Sequence, residues 1–146
     1  MPSAAQKLST PPDLKKKLIL DKIQDAPGLT LAQNEVLVAI YQRDEMTPGG
    51  IVLTARTLKE DIYQGKVGLI VKIGENFNYK WTDPYTGVTG GIPVKLHDWI
   101  VFRASDTWSL EVNIREGIFD KESFVVCRTV EPKHIRAVIT DPNMVW

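Results

Sequence analysis

Six short segments rich in β-branched and aromatic residues, each bounded by Gly, Pro, Asp or Asn clusters, constrain this chain more than any other feature. They are residues 34–42 (NEVLVAIYQ), 66–74 (KVGLIVKIG), 98–104 (DWIVFRA), 108–114 (WSLEVNI), 123–130 (SFVVCRTV) and 135–140 (IRAVIT). Between them no helix of useful length is expected, only a turn near EPKHI (131–135). Many short strands leave many edges, and closing the sheet on itself hides them. The expected fold is therefore all-β, a barrel or sandwich. At 146 residues one such domain fits, and no internal repeat divides it.

A different pattern precedes the strands. Residues 1–12 are small, polar and proline-bearing, as in a loose arm. Thr10-Pro11-Pro12-Asp13 then reads as a helix start, with a capping Thr, Pro in the first turn and an acid near the N-terminus. Leu14, Leu18, Ile19 and Ile23 follow at helical spacing, with Lys15, Lys16, Lys17 and Lys22 elsewhere on the surface. Residues 25–28 (DAPG) end the helix. A basic amphipathic helix can lie on a membrane. Docking of the apolar stripe on its own domain or on a neighbouring subunit is the preferred reading. The chain thus divides into an arm, residues 1–28, and a β domain, residues 29–146.

Charge and chemistry narrow the function. Lys plus Arg equals Asp plus Glu at 18 each, so no global field draws the chain to nucleic acid or acidic membrane. No apolar run spans a bilayer, and LIL (18–20) is too short for a signal-peptide core, which makes the cytoplasm the default address. Cys127 is the one cysteine; its flanks read as a strand, so core packing is expected rather than a reactive thiol. His97 and His134 lie in different segments with no ligands at metal spacing, so no metal is expected. No nucleophile elbow, Walker loop or dinucleotide fingerprint occurs; Asp44-Glu45 and Glu60-Asp61 sit in polar connections as solvated charge. Neither an enzyme nor a cofactor is expected.

Two stretches remain unexplained by a plain barrel. In residues 47–65 (TPGGIVLTARTLKEDIYQG), a Pro-Gly-Gly turn launches Ile51, Val52 and Leu53 in the middle of a long connection. Exposed aliphatic groups there invite association, unless the triplet is a core strand of a differently arranged barrel. In residues 75–87 (ENFNYKWTDPYTG), alternation points Phe77, Tyr79 and Trp81 to one face of a strand, with Tyr85 in the turn that DPYTG supplies. Aromatic strands on small barrels can stack single-stranded bases. Lys80 is matched here by Glu75 and Asp83, so packing within a long hairpin or against a neighbour's hairpin is favoured.

In order, these pieces resemble the GroES-type co-chaperonins. Val36-Leu37-Val38 stands as the first strand, Gly49-Gly50-Ile51-Val52-Leu53-Thr54 as the mobile loop, and Gly68 to Gly74 as the Gly-ended strand before a roof hairpin. Residues 94–102 (VKLHDWIVF) match the Val-Lys-x-Gly-Asp-x-Val-x-Phe segment, with His97 where the family usually has Gly. Residues 125–139 are similar to the closing strands. The resemblance covers roughly residues 29–140. Departures are Thr30-Leu31-Ala32 and Asn34-Glu35 in place of the Arg-Pro-Leu entry and the following Asp-Arg pair, the extra arm, a long roof hairpin and an inserted look to residues 114–123. These are more like divergent phage-encoded versions.

The resemblance implies a GroES-like irregular β-barrel with a long mobile loop, a roof hairpin and an N-terminal arm. It implies a non-enzymatic co-chaperonin, a homo-oligomer and heptamer by expectation, whose Ile51, Val52 and Leu53 dock on a large chaperonin ring that binds the ATP. One loop is a weak ligand, because ordering it opposes the apolar gain; a ring of loops binds at high effective concentration. The alternative is a GroES-fold structural protein of a phage virion, a capsid decoration or cement protein. Its partner would be a major capsid protein, clamped permanently by loop and arm.

Overall fold

A computed structural model describes residues 11–23, 29–31, 34–41, 66–114 and 124–144 of the chain. They form one helix, α1 (Pro12–Ile23), and eight strands: β1 (Val36–Ile40), β2 (Val67–Ile73), β3 (Trp81–Thr82), β4 (Thr89–Gly90), β5 (Trp99–Val101), β6 (Trp108–Asn113), β7 (Phe124–Val130) and β8 (Ala137–Ile139). All six expected strand segments pair in one antiparallel sheet of order β6-β7-β1-β2-β5-β8, and β3-β4 form a separate ribbon. The turn expected near residue 131 is a 3-10 turn, Pro132–His134. The protein is mostly β.

The sheet is open. The expected closure is not seen: among the described residues β6 and β8 are edges and do not pair with each other. The physical reason lies in how the two faces are covered. β1 is buried along nearly its whole length, as is the first part of β2, so these strands read as apolar runs rather than alternations. Leu37, Ala39, Val67, Leu69, Trp99 and Cys127 face one cluster, against which α1 lays Ile19, Leu20 and Ile23. Val36, Val38, Ile70, Ile100, Phe102 and Val130 face the other, where Phe77, Val94 and Ile135 cover them. A sheet covered on both sides hides its apolar groups without closing. Its edges are blunted locally: β8 has three residues, and β6 alternates Ser109, Glu111 and Asn113 among its apolar positions.

Helix α1 divides the expected stripe between two sides. At about 100° per residue, Leu14 and Ile23 lie on opposite sides of a helix. The face toward the sheet is Ile19, Leu20 and Ile23, whereas Leu14 and Leu18 are 48% and 55% exposed. The helix starts at Pro12, whose missing N–H costs nothing there, and Lys15 N–H donates to the Pro11 carbonyl at 3.0 Å. Thr10, the expected cap, lies outside the described residues.

Candidate functional site

β1 and β2 are neighbours, and their ends meet where the long connection, residues 42–65, departs and returns. Ile40 pairs with Gly68, and Tyr41 N–H donates to the Val67 carbonyl at 2.9 Å. Lys66 is held as well, its carbonyl accepting from Phe102 N–H at 2.8 Å. The candidate loop residues Gly49, Gly50, Ile51, Val52, Leu53 and Thr54 lie outside the described residues. Their two roots are within them.

Tyr41 is the best-anchored residue of this end. It is buried, and its ring meets Trp99 edge to face, with centroids 5.6 Å apart and planes at 81°. Its hydroxyl pairs with Asn143 Oδ1 in the last 3-10 turn. Lys15 of α1 places its ammonium 5.4 Å from the ring centroid, in cation–π range. Strand, helix and C-terminal turn thus converge on the outgoing root. The returning root depends on Gly68: a Cβ there would meet Val38 Cβ at 3.0 Å and the Ala39 carbonyl at 3.1 Å. Trp99 is buried as deeply, and its Nε1 has no hydrogen-bond acceptor among the described residues.

The hairpin candidates are split among roles. Trp81 pairs with Gly90 and covers it so closely that a Cβ on Gly90 would lie 2.7 Å from the indole. Phe77 leaves the hairpin and joins the cluster beneath the sheet. Tyr79 is half-buried, and its carbonyl faces Gly91, whose φ of 137° only glycine adopts readily. Tyr85 stands 96% exposed at the tip. That tip is an Asx turn: Asp83 Oδ1 accepts from Tyr85 N–H at 2.8 Å and Thr86 N–H at 3.3 Å, and Gly87 has a φ of 72°. The four aromatics do not form one exposed platform.

Residues of possible chemistry are dispersed. Cys127 is fully buried in β7, and burial pushes its thiol up to about 12, which keeps it protonated and inert. Among the described residues no group of three His, Cys, Asp or Glu converges on a point that could hold a metal. No described helix is long and apolar enough to cross a membrane. His97 occupies the third position of a Lys95–Asp98 turn with a φ of 72°. Asp98 N–H donates to the Lys95 carbonyl at 3.2 Å, and the Asp98 carboxylate accepts from Lys95 N–H at 3.0 Å. A turn with positive φ at its third position asks for glycine, which side-chain chemistry alone does not reveal.

No known protein family matches the chain, and no curated protein matches it either. What this end of the sheet offers physically is a firm double anchor for a long segment.

Proposed function

We propose that the protein is a divergent co-chaperonin of the GroES type, which caps an ATP-driven chaperonin ring through Ile51, Val52 and Leu53. The kinship is carried by His97. The segment 94–102 resembles a family pattern with glycine at this position, and the backbone of His97 holds the left-handed conformation that glycine prefers. A side chain, on this reading, stands where the family has glycine, in a turn of the shape that glycine favours. On this reading the family's barrel corresponds to the six-stranded sheet, with its two faces covered separately.

The loop roots support the capping role. A foot that docks and releases must transmit force to its own subunit, and Tyr41 ties one root to α1, β5 and the C-terminal turn. The foot itself binds weakly, and its ring partners supply the strength.

The test is refolding of a chaperonin-dependent substrate by a large chaperonin ring with ATP, with and without the protein. The expected result is an ATP-dependent gain in refolded yield that Val52→Asp abolishes while leaving the thermal midpoint unchanged. Amide exchange across residues 45–64 should slow when ring and nucleotide are added. Protection that arises only on mixing with capsid shells would replace this reading with that of a virion structural protein. A large loss of thermal stability in Val52→Asp would make the triplet part of the core.

A further inference from the structure

At the strand ends beside the returning root lies an open recess of about 540 Å³. This is within the size range of small-molecule sites, which are mostly apolar with a few polar groups that fix orientation. Val101, Ala104 and Ser105 line it beside Phe102, which is itself only 1% exposed, together with the cations Lys66, Arg103 and Arg136. The three cations come from three places in the sequence, and backbone pairing brings them together. Phe102 N–H donates to the Lys66 carbonyl at 2.8 Å, and Arg136 N–H donates to the Val101 carbonyl at 2.8 Å. Continuing the ladders by one residue puts Lys66 and Arg136 on either side of Phe102. Two strand spacings separate them, about 10 Å of backbone.

Among the described residues the charge at this rim is unbalanced, in a chain that is neutral overall. Arg103 is engaged: its Nε and Nη2 donate to the two carboxylate oxygens of Asp106 at 3.0 and 2.9 Å. Arg103 holds the Asp106 carboxyl below its usual range, with Arg136 and His134 adding to the effect. Asp106 therefore stays ionised and occupied by Arg103. Lys66 and Arg136 make no ion pair among the described residues. Two cations without an ion pair among the described residues, beside an apolar lining, suit an anion with an apolar body.

We propose that this recess binds an aliphatic carboxylate, its acid group between Lys66 and Arg136 and its chain against Val101 and Ala104. The site is separate from the loop reading and stands or falls without it. A compact, fully hydrated anion would leave the apolar lining uncovered, and an uncharged chain would leave the two cations unmatched.

Octanoate titrated into the full chain, followed by amide chemical shifts, tests this. Saturable shifts are expected at residues 66, 101–105 and 136, with a dissociation constant of roughly millimolar order for so small a ligand. Lys66→Gln and Arg136→Gln, both at exposed positions and checked for an unchanged thermal midpoint, should each weaken binding by about fivefold. Raising salt from about 0.05 to about 0.5 M should weaken it as well. Octanol and octylammonium should bind at least about tenfold less tightly than octanoate, as electrostatic recognition of the acid requires. Absence of saturable shifts, equal binding of octanol, or indifference to both substitutions would overturn the proposal.

Discussion

Tyr41 and the β3-β4 hairpin are both places where the chain turns away from the sheet, yet they are held by different kinds of contact. Tyr41 is fixed by Asn143, 102 positions away, by Trp99 and by Lys15. The hairpin is fixed by its own neighbours: the Asp83 carboxylate, the Trp81 ring over Gly90, and the positive φ of Gly87. Damage to the first should therefore be felt by the whole molecule, and damage to the second should stay local. A segment that must work against a partner is better mounted on the first kind of support.

The largest test of that contrast is Trp99→Ala. It removes the ring that Tyr41 meets and empties a fully packed place in the main cluster, so a loss of about 3–5 kcal/mol is expected in denaturant unfolding. Gly91→Ala, strained at its own φ and against the Tyr79 carbonyl, should instead alter amide shifts of residues 77–92 and leave the midpoint far less affected. Equal losses would break the distinction between global and local support.

Next comes alkaline pH, read through Cys127 in the same cluster. Its folded value near 12 lies above the ordinary 9.0, so the unfolded chain releases the proton first. The native advantage is complete below about pH 9 and is lost between about pH 9 and 12, at about 1.4 kcal/mol per pH unit. Unfolding curves of the wild type and Cys127→Ala should converge over that range. Parallel curves would mean the thiol does not feel the core.

Smaller still is Tyr41→Phe, which keeps the ring and removes the hydroxyl with its bond to Asn143. A loss of about 1 kcal/mol is expected, with faster exchange at residues 141–144. Were exchange there unchanged, the C-terminal turn would not depend on the root. The smallest effect should be a gain. His97→Gly relieves a left-handed backbone cost of about 1–2 kcal/mol and adds a chain-entropy cost of about 0.5–1, leaving the variant more stable by about 0.5–1 kcal/mol. A destabilised variant would show that the imidazole makes a contact worth more than the strain.

The sequence alone determined whatever depends on neighbours along the chain. The six strand segments, the turn at Asp83–Gly87, the helix start at Pro12 and the buried character of Cys127 follow from composition and spacing over a few residues. Spacing in the sequence groups Leu14 and Leu18 with Ile19 and Ile23, and the angle around the helix sets the two pairs on different sides. Tertiary structure decided the rest. An open sheet rather than a closed one depends on which segments reach its two faces, and Ile23, Phe77 and Ile135 come from three distant places. The Tyr41 root and the Lys66–Arg136 pair arise in the same way, from residues about seventy to a hundred apart that only strand pairing brings together. Local periodicity carries no record of such distances, because each partner satisfies its own neighbourhood equally well with the other absent.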